Sequence, residues 1–281
     1  MKRFILTMLI CLMLSVTTSP VMGTEAEQQK DPWEKYAIIM GGFFSRVDTS
    51  FRFGSGLGLD LDAEELLDIE PNNTVFRVGG SWRFTDNKKH QLDLSWFAFH
   101  RSASSTVTNT LEIEDPDGNI IIILPGTEVD TLLNIDIFQL AYSYSFLQDD
   151  RIDLAAIFGL FIMPVDIELE VSGLGGEEGT LNFTAPLPTF GLRMDIALKP
   201  KWFFRSGTQI FYLEYQDFKG SIMTMHGAVE YTPWDHIGFG LGIDSFTLKI
   251  EGKDEDYPNI DLTGKVGFHY VGLQLYARIF F

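Results

Sequence analysis

The chain has 281 residues with 21 Lys and Arg against 39 Asp and Glu, a formal net charge of -18, so its surface repels nucleic acid and no nucleic-acid partner is expected. Hydrophobic residues make up 45%, yet past the first twenty residues no apolar run approaches the ~20 residues that a membrane-spanning helix needs. The single cysteine, Cys11, excludes a disulfide framework or a cysteine metal site.

Met1-Lys2-Arg3, the apolar run Phe4 to Val16 and the small-residue stretch Val21-Met22-Gly23 form a signal peptide expected to be cut after Gly23. Ile10 stands before Cys11 where a lipoprotein signal needs a small residue. Cleavage leaves 281 minus 23, or 258 residues, without a thiol and with 19 cations against 39 anions, a charge of -20. Residues 24–34 read as an N-terminal segment outside the folded domain, and 35–281 as one domain, because no linker, composition break or repeat divides them.

From residue 35 the apolar residues alternate. In 73–85, Phe76, Val78, Gly80, Trp82 and Phe84 share one face, with Arg77, Ser81 and Arg83 on the other; 138–146 and 152–162 repeat the pattern. Ten strands are predicted, over 35–53, 73–85, 88–106, 129–147, 151–170, 182–198, 201–216, 220–233, 236–251 and 263–280. Every second junction is tight: Asp86-Asn87-Lys88, Gln148-Asp149-Asp150, Lys199-Pro200 and Pro233-Trp234-Asp235. The junctions between them, around 54–72, 107–128, 171–181 and 252–262, are mostly long, acidic and glycine-rich. Loops sorted by parity, with an even strand count, imply an all-β fold: a transmembrane antiparallel up-and-down β-barrel. A soluble sandwich has no reason for such sorting.

Trp33, Trp82, Trp202 and Trp234 fall beside the short-turn rim or just before the first strand, as an interfacial girdle requires, while Trp96 sits further along its strand. The last strand carries Leu273, Leu275, Ala277, Ile279 and the terminal Phe281 on one face, which resembles the assembly signal of bacterial outer-membrane proteins. The chain from residue 24 onward resembles the small Gram-negative outer-membrane barrel superfamily. Its stretches GGFFSRVDT, GGSWRFTDNKKHQLDLSWF and YSFLQDDR give a looser likeness to uncharacterised proteobacterial barrels. The resemblance implies an outer-membrane location, contact with membrane lipid and lipopolysaccharide, and the general outer-membrane assembly machinery as a transient partner; ten strands bring the chain back to the rim where it began, so both termini are expected in the periplasm. The resemblance implies no cofactor and no reaction.

Two patterns in the sequence are of enzymatic type. A ten-stranded count resembles the omptin proteases, but only Asp60-x-Asp62 is present, without an Asp-x-His, and Asp235-His236 lies on the wrong rim. His100-x-Ser102 on one strand face resembles the lipid A deacylase arrangement, with Asp130 or Asp136 as candidate acids across the hairpin. The bland reading, an interfacial His at a Ser-rich strand end, is preferred. The acidic set Asp60, Asp62, Glu64, Glu65, Asp68, Glu70, Asp254, Glu255, Asp256 and Asp261 matches no calcium-loop spacing, so no metal site is assigned. The stretch 106–124 reads as two strands about Asp115-Pro116-Asp117-Gly118, extending the barrel wall above the membrane and packing on loop 54–72.

Ionisable residues avoid the lipid face, which sets the phase of each strand. Phe76, Val78, Leu140, Tyr142, Leu154, Phe158, Leu192, Met194, Val229, Phe239, Leu241, Leu273 and Leu275 are expected outward. In the first strand, apolar on both faces, Arg46, Asp48 and Arg52 suggest a lumen-facing even phase. The inward set is then Arg77, Arg83, Arg101, Arg193, Arg205 and Arg278 with Asp93, Asp153, Asp195, Glu230 and Asp244, joined by His226. Six cations against five anions predict a plugged lumen of paired charges rather than a channel selective for one sign. The runner-up is a narrow conduit along Gly238, Gly240 and Gly242. The expected role is structural or surface-interacting, at most a narrow solute channel, with a lipid hydrolase using His100 and Ser102 as the alternative.

Overall fold

The computed structural model describes residues 32–53, 61–62, 70–106, 110–114, 120–171, 178–215, 218–252 and 264–281. The expected signal peptide and its cleavage point lie outside them.

Thirteen strands are present: β1 Tyr36–Phe53, β2 Leu61–Asp62, β3 Asn72–Arg83, β4 His90–Thr106, β5 Leu111–Glu114, β6 Ile120–Ile123, β7 Glu128–Gln148, β8 Ile152–Val171, β9 Glu178–Lys199, β10 Trp202–Tyr215, β11 Phe218–Trp234, β12 Ile237–Gly252 and β13 Gly264–Phe280. Ten of them (β1, β3, β4 and β7–β13) pair antiparallel in sequence order, and β13 pairs back onto β1, so the sheet closes into a barrel. Closure removes the unpaired edges that hydrocarbon cannot satisfy. The seam runs from Ala37 opposite Phe280 to Phe53 opposite Gly264, and the amides of Lys35 and Tyr36 both donate to the carbonyl of Phe281, at 2.8 and 3.0 Å. Both ends of the barrel therefore lie on the rim of short turns.

Alternate residues decide what faces where. Leu140 is 45% exposed and its neighbour Ala141 is buried; Phe158, Leu192, Val229, Phe239, Leu241, Leu273 and Leu275 are likewise exposed. These form an apolar outer band, and Trp82, Trp202 and Trp234 stand exposed on it beside the short turns. On β8 the outer face is apolar from Ile152 to Ile162 and becomes Asp166, Glu168 and Glu170 beyond, so the long strands rise past the band toward the loop rim.

Following paired residues once round, from Tyr36 through Trp82, Leu92, Tyr142, Phe158, Phe190, Ile210, Met223, Thr247 and His269, returns to β1 at Asp48. That is a displacement of twelve residues (48 minus 36) over ten strands. With ~3.3 Å rise and ~4.8 Å between strands it corresponds to a tilt of about 40° and a backbone radius of about 10 Å.

Three expectations change. In β1 the odd residues face inward: Phe43 and Val47 are fully buried, whereas Ile38, Met40 and Phe44 are exposed and Arg46 and Asp48 point outward with them. Those two charges lie toward the loop end, where the outer face meets water; the side chain of Arg52 is outside the described set. Trp33 belongs not to the girdle but to the interior, at 3% exposure. The 106–124 region does form a hairpin, β5 with β6, but as a separate two-stranded sheet rather than an extension of the wall. Its turn and loop 54–69 lie outside the described residues, apart from β2, which pairs Leu61 and Asp62 with Phe51 and Ser50. Of the acidic loop set, only Glu70 has a described side chain, and it is exposed.

Candidate functional site: the filled lumen

At the turn rim the inward faces supply Arg83 from β3, Asp153 from β8, Arg193 and Asp195 from β9, Arg205 from β10, Glu230 from β11 and Arg278 from β13. Arg83 reaches Asp153 at 2.9 Å and Asp195 at 3.7 Å; Arg193 reaches the same two at 3.0 and 3.4 Å. Arg205 meets Asp195 at 3.5 Å and Glu230 at 3.2 Å, and Arg278 meets Glu230 at 3.3 Å. The fourth carboxylate is Glu34, bound to Arg205 at 3.3 Å and to Arg278. Four guanidiniums and four carboxylates thus share one sealed volume. Such pairs contribute little net stability because desolvation offsets their attraction, but removing one partner leaves a buried charge exposed to that full penalty.

Glu34 belongs to the 24–34 segment that the sequence places outside the folded domain, and yet it enters the lumen. Here Trp33 and Glu34 form a strap across the turn-rim mouth. The Trp33 indole donates to the carbonyl of Asp149 at 2.7 Å, Arg83 donates to the carbonyl of Glu34 at 3.2 Å and stacks over the Trp33 ring at 5.7 Å, and Lys88 donates to the carbonyl of Trp33. Tyr276 donates to Glu230 at 3.2 Å, another contributor that the count of charges missed.

The remaining expected members are spread upward. Arg77 pairs with Asp244 at 2.9 Å, and Tyr270 donates to the same carboxylate at 2.5 Å. Asp93 accepts from Gln91 at 2.6 Å. Arg101 is buried near the loop rim and donates to Thr49. His226 faces the lumen opposite Asp244 on β12, and its ring lies over Gly207, where an added Cβ would stand 2.5 Å from Cε1; among the described residues it makes no side-chain hydrogen bond. Among the described residues, neighbouring groups crowd the Gly238, Gly240 and Gly242 face expected to line a conduit. The Tyr276 ring covers Gly240, a Cβ at Gly242 would meet that of Ala228 at 2.7 Å, and one at Gly238 would meet Thr232 at 3.0 Å.

Toward the loop rim the lumen fills with apolar side chains. Phe43, Phe97, Phe99, Phe268 and Tyr270 pack ring against ring with centroids 5.0 to 6.1 Å apart, beside Phe161, Leu133 and Ile167. Ile123 of β6 is buried in the same cluster.

On the outer face, His100 meets Asp136 at 3.2 Å, and the Trp96 indole donates to the other oxygen of that carboxylate at 3.0 Å. Asp130, the other candidate acid, accepts instead from Ser104. Among the described residues Ser102 makes no side-chain hydrogen bond, so the pair His100 and Ser102 lacks the base-to-nucleophile contact that acyl transfer needs.

No family model matches the chain, and no curated protein matches it. Among solved structures it is similar to the outer membrane protease OmpT from Escherichia coli, with 9% identity, a TM-score of 0.55, and 88% of this chain and 97% of that one covered. Lower similarities include Ail, the attachment invasion locus protein of Yersinia pestis (11% identity, TM-score 0.34, 87% and 99% covered), and the P. putida toluene transporter TodX (7%, 0.36, 88% and 90%). At these identities the likeness is one of fold: a closed ten-stranded antiparallel barrel, similar to that of OmpT.

Proposed function

We propose that this chain is an integral outer-membrane barrel, exported by residues 1–23, with its turn rim and both termini in the periplasm and its tall loop rim presented at the cell surface. It acts as a closed scaffold with a surface-interaction role, not as a general pore. The observation that carries this reading is the four-by-four charge cluster at the turn rim, in which Glu34 completes a set left one carboxylate short by the wall. The aromatic packing above it supports the same conclusion. A surface role is supported by the loop-rim hairpin, where Ile122 and Leu124 are exposed on either side of buried Ile123. The lipid-hydrolase alternative is weakened by the isolated Ser102 hydroxyl.

Liposomes carrying the refolded protein should not swell in isosmotic arabinose or glucose; swelling at a porin's rate would overturn the closed reading. Purified protein should release no fatty acid from lipopolysaccharide or phospholipid. Release lost in both His100→Ala and Ser102→Ala would restore the hydrolase.

A further inference from the structure

Between the charged floor and the aromatic roof the inward residues change character. Along β4 they run Gln91 buried, Asp93 and Ser95 half-buried, Phe97 and Phe99 buried; along β8, Ala155 buried, Ile157 half-buried, Gly159 buried. On β11, Ile222 and Ala228 are buried while His226 between them is exposed, although the barrel encloses it. A register that climbs twelve residues over ten strands slips by 1.2 residues per strand at constant height. Levelled this way from Gly41, the ring at one height includes Gly79, Ser95, Gly191, Gly207 and His226. The accessible residues Gly41, Gly79, Ser95, Gly191 and His226 therefore meet at a single waist beside buried Gly207, at the height of Leu140 and Leu192 on the outer face. Small residues line it, and the longer side chains that reach it lie flat on glycines: His226 over Gly207, and Gln209 across Gly159 and Gly191.

One wall of this waist is oxygen-rich. Asp93 stands opposite Ser81 on β3, and Ser95 next to it donates to Gln139 Oε1 at 3.1 Å. Asp93 accepts one hydrogen bond, from Gln91 at 2.6 Å, and among the described residues no cation stands within 4 Å of its carboxylate, Arg83 and Arg193 reaching Asp153 and Asp195 instead. Resting on the closed-lumen reading, we infer that the waist is an enclosed binding chamber for a small hydrophilic cation of primary-amine size. The cation is held by the Asp93 carboxylate with Ser81, Ser95 and Gln139, and it is admitted from the turn rim when the Trp33–Glu34 strap withdraws and releases the Arg205 and Arg278 guanidiniums that Glu34 holds in the charged floor. The aromatic roof makes the chamber a one-sided site and not a through channel.

Removal of residues 1–23 leaves no cysteine, so Ser95→Cys places a single thiol in the chamber of the refolded protein from residue 24 onward. Its labelling by a cationic methanethiosulfonate (ethyltrimethylammonium) and an anionic one (ethylsulfonate) is followed by mass, each rate normalised to that with free cysteine. With the strap intact, labelling should be slow. Adding Trp33→Ala with Glu34→Gln should accelerate it at least tenfold, with the cationic reagent at least tenfold faster than the anionic, and Asp93→Asn should abolish that preference. Equal rates for the two reagents, no acceleration on loosening the strap, or no labelling in a strap variant that still shows the gel shift of a folded barrel would each overturn the proposal. Failure of the closed-lumen reading is distinct: it appears as steady conductance with the strap intact.

Discussion

Arg83 on β3 places Nη2 2.9 Å from Oδ2 of Asp153 on β8, so the two are joined across the lumen and not along neighbouring strands. Asp153 is fully buried and takes Arg193 at 3.0 Å as well. Asp153→Ala would strand two guanidiniums and should destabilise the barrel by ~3–5 kcal/mol. Urea unfolding in lipid vesicles reads this, with Leu154→Ala, an outward truncation on the same strand, as the comparison. An Asp153→Ala variant no less stable than that control would show that the cluster is dispensable.

The outer band gives a second expectation. Leu140→Arg places a guanidinium at the height of the waist on the lipid face and should cost ~2–4 kcal/mol, whereas Glu168→Arg beyond the band should cost ~0–1 kcal/mol. Equal costs in vesicle unfolding would show that the band is misplaced.

Tyr276 covers Gly240 while its hydroxyl donates to Glu230. A methyl group at 240 collides with that ring, so Gly240→Ala should lose ~1–3 kcal/mol through overpacking. The double variant Gly240→Ala with Tyr276→Leu should be less than additive, since the second change removes the clash.

At the turn between β7 and β8, the Asp149 carboxylate accepts the amides of Arg151 and Ile152 at 2.7 and 2.8 Å, which hold its pKa below the ordinary carboxylate value. A depressed folded pKa means stability that is present above the unfolded value, about 3.9, and is lost as pH falls through the folded one. Asp149→Ala should therefore remove part of the acid sensitivity of unfolding below about pH 4. An unchanged pH profile would contradict this.

Much of this was legible beforehand. All ten barrel strands and the turns between them follow from period-two alternation and loop parity, with the largest boundary error at β9, which begins at Glu178 instead of 182. What failed did so for physical reasons. In β1 the charges of Arg46 and Asp48 suggest a lumen-facing even phase, yet a charge marks the lumen only where the other face meets hydrocarbon, and these two stand above it. Trp33 and Glu34 precede the first strand and carry no periodicity. The imbalance of six cations against five anions was the available signal, since one more carboxylate was needed and Glu34 was the nearest acid before β1. The waist could not be read at all, because exposure inside a closed barrel depends on the shear that brings distant glycines to one height.

The most direct test of a closed lumen is planar-bilayer recording of the refolded protein from residue 24 onward. Silence or rare, small openings is the result predicted by the Arg83, Arg193, Arg205 and Arg278 cluster with its Glu34 strap. Steady, ohmic conductance approaching that of a general porin would contradict it.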